Sequence, residues 1–111
     1  METIDGRLFV RLEGQVTFER AEELRSGIEK QLGGSDFECL VVDLSRVEFL
    51  DSSGIGLLVA LNSRVYGGGG RFALLAPSER VRKTLELVKL LDFFLVARDE
   101  VELDMLLAQD S

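Results

Sequence analysis

The sequence contains no histidine and a single cysteine among its 111 residues. Without histidine, the most common general base and the most common metal ligand are both missing. The lone Cys39 excludes an internal disulfide bond and any CxxC site, and it favours a reducing compartment such as the cytoplasm. Basic residues are outnumbered, with 13 Lys and Arg against 20 Asp and Glu and a formal charge of −7. Because such a surface repels phosphate backbones, we expect no nucleic-acid partner.

Long apolar segments are also missing. No stretch approaches the roughly 18 apolar residues that are needed to cross a bilayer. Residues 1–6 lack both the basic start and the apolar region of a signal peptide. The sequence therefore predicts a cytoplasmic protein without membrane insertion. Its length fits a single domain over residues 1–111, and a domain of this size buries enough surface to fold without disulfides or metals.

The spacing of apolar residues predicts alternating strands and helices. Asp5-Gly6 is a favoured hairpin turn pair between two opening strands, and Gly14 is expected to end the second of them. Further strands are predicted over residues 39–44, 72–75 and 93–96, with helices over 18–32, 55–66, 81–88 and 99–107. This order, β-β-α-β-α-β-α-β-α, predicts an α/β fold with a mixed, mostly parallel sheet of about five strands and about four helices.

Residues for conventional catalysis are not in the required patterns. Neither Ser52 nor Ser53 follows the glycine that a G-x-S-x-G nucleophile elbow needs, and no histidine can activate them. The glycines at 67–70 follow a predicted helix, whereas a phosphate-binding P-loop precedes one. Asp43 lies inside its strand without the acidic pair of an aspartyl-phosphate receiver domain. We therefore expect neither an enzyme nor a cofactor or metal site.

The segment Asp51-Ser-Ser-Gly-Ile-Gly56 is the candidate functional site. Helix capping alone would explain Asp51, Ser52 or Ser53. Gly54 and Gly56, however, cost about 1 kcal/mol each relative to alanine in a regular helix. That cost is explained if bare backbone approaches another molecule closely. Free N–H groups at a helix N-terminus would also accommodate a phosphate group.

Residues 41–56, VVDLSRVEFLDSSGIG, resemble the STAS domain of bacterial anti-sigma factor antagonists. The family pattern is an apolar strand ending in D-L, a short loop, an apolar pair, and D-S-[ST]-G-[LI]-G at a helix start. The resemblance extends over essentially the whole chain and implies a STAS-like single domain. The chain departs from the family at Gln15 and Thr17, because family members often carry the acidic segment G-E-L-D there.

The resemblance implies regulation by partner switching. In the family, the serine directly after the aspartate is phosphorylated by an anti-sigma factor that is itself a serine/threonine kinase. The unphosphorylated antagonist binds that kinase and frees the sigma factor, and a serine phosphatase resets the cycle. On this chain the resemblance assigns phosphorylation to Ser52 and partner binding to Asp51, Ser52, Ser53, Gly54 and Gly56. The alternative is a STAS scaffold or accessory subunit of a stressosome or lipid-transport complex without such switching.

Overall fold

The computed structural model describes residues 2–34 and 37–109, which form five strands and four helices. None of the four described helices is both long enough and apolar enough to cross a membrane. In chain order the elements are β1 (Glu2–Ile4), β2 (Arg7–Val16), α1 (Phe18–Gly34), β3 (Cys39–Leu50), α2 (Ser52–Gly67), β4 (Arg71–Leu75), α3 (Glu79–Leu87), β5 (Leu95–Ala97) and α4 (Glu100–Ala108).

The strands form one sheet in the order β1-β2-β3-β4-β5. β1 and β2 are antiparallel and are joined at Asp5 and Gly6, whose φ angles of 52° and 78° suit a type I′ hairpin turn. The other neighbouring strands are parallel, so the carboxyl ends of β2 to β5 lie at the same edge of the sheet. The predicted α/β fold with a mixed, mostly parallel sheet is confirmed.

Helices cover both faces of the sheet because its central strands are apolar on both faces. In β3, Leu40, Val42 and Leu44 belong to the core shared with α1, α2 and α3. Cys39 and Val41 alternate with them and belong to a smaller core beneath α4. All five side chains are buried. The near-continuous apolar run in this part of the sequence is typical of such a two-sided strand.

The prediction that Gly14 ends the second strand is wrong. β2 continues to Val16, and Gly14 lies with a φ of 72° where its register against β3 shifts. A bulge containing a glycine at positive φ bends a strand without ending its pairing. β3 is correspondingly longer than predicted and remains paired with β2 as far as Leu50. This extension carries the chain directly from the sheet into α2.

The last strand also begins later than predicted. Residues 93 and 94 lie outside β5, because the backbone N–H groups of Phe93 and Phe94 hydrogen-bond to the Leu90 carbonyl in a turn. Phe94 is buried, with its ring centroid 6.0 Å from that of Phe72, whereas Phe93 is largely exposed. A short apolar run therefore did not distinguish a strand from a turn with one buried aromatic residue.

Candidate functional site

The candidate site is the turn between β3 and α2. β3 ends at Leu50, Asp51 has the extended backbone of an N-cap residue, and Ser52 is the first residue of α2. The prediction of a helix start in this segment is confirmed, three residues earlier than the predicted first residue, Ile55. The turn lies at the sheet edge formed by the carboxyl ends of the parallel strands, where ligands and partners of α/β proteins commonly bind.

The Asp51 carboxylate joins the first turns of two helices. Its Oδ1 atom accepts hydrogen bonds from the backbone N–H groups of Ser53 (2.9 Å) and Gly54 (3.0 Å) in α2. Its Oδ2 atom accepts one from the backbone N–H of Phe18 (3.0 Å), the first residue of α1. The bond from Gly54 is the main cause that lowers the pKa of the Asp51 carboxyl, with Phe18 and Ser53 acting alongside and burial opposing them.

These bonds show how the start of α2 is capped. The sequence left open whether the N–H groups at the start of α2 are free for a phosphate or are capped by a side chain such as Asp51. In the structure, those of Ser53 and Gly54 are bound by Asp51. The positive end of the helix dipole remains close to Ser52. A phosphate on Ser52 would therefore compete with a carboxylate that already occupies part of the helix N-terminus.

The two serines of the turn differ in exposure. Ser52 is exposed to solvent, whereas Ser53 is half-buried and lines a groove between α1 and α2. The first turn of α2 contains no acidic residue. Ser52 is therefore accessible from solvent without any displacement of packed side chains.

The two glycines have different structural settings. A Cβ atom built at Gly54 would lie 2.3 Å from the backbone oxygen of Val16, which is far too close. The close approach that explains Gly54 is therefore made within the chain, and its part in the site is to shape the turn from beneath. A Cβ atom built at Gly56 meets no described atom within 4 Å, and this residue is exposed. Of the two, only Gly56 offers bare backbone to the outside.

A shallow groove of about 380 Å³ adjoins the turn. Ser53, Gly56 and Leu57 of α2 form one side, and Phe18 and Ala21 of α1 contribute to the other. Glu22 and Arg25 of α1 also line the groove, and Phe18 is 77% exposed. Exposed aromatic side chains of this kind are enriched at protein interfaces.

Sequence reasoning missed Phe18 as a site residue. Its spacing of three from Ala21 agrees with the apolar stripe of α1, which by itself predicts burial.

Gln15 and Thr17, where the chain departs from the family pattern, flank the Val16 carbonyl that lies over Gly54. Gln15 is exposed and Thr17 is half-buried. The sequence contains one indirect indication of Phe18: this residue directly follows residues 14–17, where family members often carry the acidic segment G-E-L-D.

Comparisons with known proteins agree with this description of the fold. A family model described as "STAS domain" matches residues 1–103. The anti-sigma F factor antagonist of Lysinibacillus sphaericus is 27% identical over 95 residues, which cover 86% of this chain and 81% of the relative. The crystal structure of an anti-sigma factor antagonist from Mycobacterium paratuberculosis has a TM-score of 0.75 and 30% identity, and covers 86% of this chain and 80% of that one.

A further solved structure shares the fold over the full length. The unphosphorylated form of the anti-sigma factor antagonist SpoIIAA superposes with a TM-score of 0.78, covering 100% of this chain and 96% of that chain. At 24% sequence identity, this similarity concerns the arrangement of strands and helices.

Proposed function

Because the chain belongs to the STAS domain family, as its sequence motif predicts, we propose that it is an anti-sigma factor antagonist switched by phosphorylation of Ser52. The unphosphorylated protein binds an anti-sigma factor that is a serine/threonine kinase, and the sigma factor is released. Phosphorylation of Ser52 ends that binding, and a serine phosphatase restores it. The cycle needs ATP and a sigma factor, so the proposal also assigns the protein to the cytoplasm. The chain itself acts as substrate and binding partner rather than as an enzyme.

The observation that carries this proposal is the position of Ser52. Ser52 is an exposed residue at the start of a helix, beside the groove between α1 and α2 and near the exposed ring of Phe18. Ser53, the other hydroxyl of the turn, is half-buried. This difference supports Ser52 as the acceptor and leaves Ser53 as part of the surface that the partner covers.

The partner-binding surface that we propose combines the turn with the α1–α2 groove. Gly56 leaves room for close backbone contact, and Phe18 supplies apolar area of the kind that dominates interface energetics. Asp51 acts from beneath by fixing the starts of both helices through its three hydrogen bonds. The groove would take an apolar side chain of the kinase.

Release of the kinase follows from charge and size. A phosphate adds about −1.5 to −2 charges at pH 7 next to the Asp51 carboxylate. Inside a desolvated interface, an additional charge without a partner strongly opposes binding. Because the helix N-terminus tolerates negative charge, we expect the phosphorylated chain to keep its fold while it loses the kinase.

The test is a comparison of aspartate substitutions in binding to the anti-sigma kinase, measured by calorimetry. Ser52→Asp is expected to abolish detectable binding, and Ser52→Ala is expected to retain it. Ser63→Asp places the same charge on an exposed serine further along α2 and is the matched control, with binding unchanged. Full binding by Ser52→Asp would contradict the proposal and favour a constitutive scaffold or accessory role in a stressosome or lipid-transport complex.

A further inference from the structure

The two faces of the sheet are unequally covered. α1, α2 and α3 share the core on one face, whereas α4 is the helix of the described residues that packs on the other. α4 contacts β4 and β5. The part of that face formed by β1 and β2, two of the five strands, therefore lies beside α4 instead of beneath it. Two strands at a spacing of about 4.8 Å make a strip about 10 Å wide, which is the diameter of one helix.

The floor of this strip is partly apolar. Ile4 pairs with Arg7, and Glu2 pairs with Phe9, so these residues share one face of the β1–β2 hairpin. That face is directed towards α4, because Arg7 is hydrogen-bonded and ion-paired with Asp104. Phe9 is only partly buried against the smaller core, and Ile4 is 48% exposed. Two large apolar side chains thus reach solvent on the part of the sheet that α4 leaves uncovered.

A groove of about 440 Å³ follows this strip, and we call it the β1–α4 groove. Ile4 and Phe9 contribute to its lining, and Leu75 closes it towards the smaller core. Glu2 on the hairpin and Glu100 at the start of α4 also line it. The groove therefore combines an apolar floor with acidic residues on two sides.

Among the described residues, no basic side chain forms an ion pair with Glu2 or Glu100 of the groove. Arg11 and Asp43 are register partners on β2 and β3 and both line the groove, with 3.4 Å between Nε and Oδ2. Arg7 is paired with Asp104. Arg7 and Arg11 of β2 are therefore both paired with carboxylates of the same chain. Arg71 of β4, on the same face, donates a hydrogen bond to the Leu107 carbonyl at 2.9 Å, away from the groove. The two glutamates of the groove add two more negative charges, and α4 itself contains acidic residues but no basic one.

We infer that the β1–α4 groove binds one amphipathic helix of a partner protein, with basic side chains flanking an apolar stripe. The width of the strip accommodates a helix beside α4, and the apolar stripe would cover Ile4 and Phe9. Lysine or arginine on the partner would pair with Glu2 and Glu100. A second copy of this chain fits poorly, because its formal charge of −7 would bring two acidic surfaces together. This site is separate from the Ser52 turn and does not depend on phosphorylation.

The probe is a synthetic peptide of about 18 residues, a length at which an isolated helix forms, with leucine on one face and lysine elsewhere. In ¹⁵N–¹H spectra of the full chain, the peptide is expected to shift the amides of Ile4, Phe9 and Glu100 and to leave that of Ser52 unchanged. The control peptide carries glutamate in place of lysine and is expected not to bind. Shifts centred on α1 or on Ser52, the absence of shifts, or equal binding of the glutamate peptide would overturn the inference.

Charge reversal at Glu2 and Glu100, the two residues that we call the rim of the groove, distinguishes specific peptide binding from general attraction between a basic peptide and an acidic protein. Glu2→Lys/Glu100→Lys is expected to weaken binding of the lysine peptide by about tenfold or more. Glu23→Lys/Glu86→Lys changes the net charge equally at exposed positions outside the groove, and is expected to change the affinity by less than about threefold. Equal weakening by the two double variants would show that only net charge matters, which contradicts a defined groove.

A third comparison tests the apolar floor. Ile4→Ser is expected to weaken peptide binding severalfold, while Leu87→Ser, which removes a more exposed apolar side chain on α3, leaves the affinity unchanged. Identical affinities for both variants would argue against apolar contact in the groove.

The oligomeric state of the chain alone, measured by analytical sedimentation, tests whether a second copy occupies the groove instead. Self-association that the rim double variant abolishes would assign the groove to a second copy and overturn the proposed partner.

Discussion

The Asp51 carboxylate accepts a hydrogen bond from the backbone N–H of Phe18, 33 residues earlier in the chain, at 3.0 Å. The same carboxylate caps α2 through Ser53 and Gly54. The start of α1, which carries the exposed Phe18 ring, is thereby fixed relative to the start of α2, which carries Ser52. One side chain thus holds together the two parts of the proposed partner-binding surface.

Asp51→Ala is expected to destabilise the protein more than the loss of an ordinary helix cap. Asp99 is the matched control, because it caps only its own helix through one bond to the Glu102 N–H (2.8 Å). Asp99→Ala should cost about 1 kcal/mol, and Asp51→Ala should shift the urea unfolding midpoint further. Amide exchange at Phe18 should accelerate only in Asp51→Ala. Equal midpoints and a protected Phe18 amide in both variants would contradict the bridging role.

The lowered pKa of Asp51 predicts a pH dependence of stability with a defined sign. In the unfolded chain this carboxyl titrates near its ordinary value of about 3.9. Its hydrogen bonds, that from Gly54 foremost, lower the pKa in the folded state. The stabilisation is therefore complete above a pH of about 5 and is lost progressively as the pH falls through the unfolded-state and then the lower folded-state pKa. Asp51→Asn lacks this titration.

The measurement is the difference in the free energy of unfolding between the wild type and Asp51→Asn. It should remain constant near neutral pH and shrink in acid. A difference in the free energy of unfolding that is the same at neutral and at acid pH would show that the Asp51 charge does not contribute to stability.

Alanine substitutions at the two glycines of the turn should have opposite effects. Gly54→Ala places a Cβ atom 2.3 Å from the Val16 backbone oxygen and should destabilise the fold by about 1–3 kcal/mol. Gly56→Ala meets open space in a helix and should stabilise it by up to about 1 kcal/mol. Chemical denaturation of both variants tests this pair. A stable Gly54→Ala protein would mean that β2 and α2 are further apart than described.

Cys39 should be chemically inert in the folded protein. Burial raises the pKa of its thiol to about 11, despite the opposing charges of Arg7 and Arg71. At pH 8, reaction with a thiol reagent should be about 100-fold slower in the native protein than in urea. Because the raised pKa favours the neutral thiol in the folded state, this group also reduces stability as the pH rises above about 8.5. Fast labelling without denaturant would contradict its burial.

The hairpin and the central strand could be predicted from the sequence because each of them depends on a local sequence pattern. The hairpin at Asp5-Gly6 follows from the residues that tolerate positive φ, and the two-sided β3 follows from its unbroken apolar run. Gly14 and Phe93 were not predictable in the same way. A glycine in a bulge and a glycine at a strand end look alike in sequence, and only tertiary packing determines which of two adjacent phenylalanines is buried.

The candidate site was located from sequence, but its contacts were not. The D-S-S-G-I-G motif marks a helix start, as predicted, but it follows β3 directly at Leu50, whereas the strand was predicted to end at residue 44. The bond from Phe18 to Asp51 and the contact between Gly54 and Val16 both join segments distant in sequence. Periodicity carries no information on such contacts, so the reason for Gly54 and the exposure of Phe18 emerged only from the fold.

The most direct test of the proposed switch is the phosphorylation state of Ser52 in protein purified from its native cells, by intact mass and peptide mapping. The account predicts one phosphate at Ser52, absent from Ser53, in a fraction that no longer associates with the anti-sigma kinase. The unmodified fraction should retain that kinase. A chain that remains unphosphorylated at Ser52 across growth and stress conditions, or a phosphorylated chain still bound to the kinase, would contradict the switch.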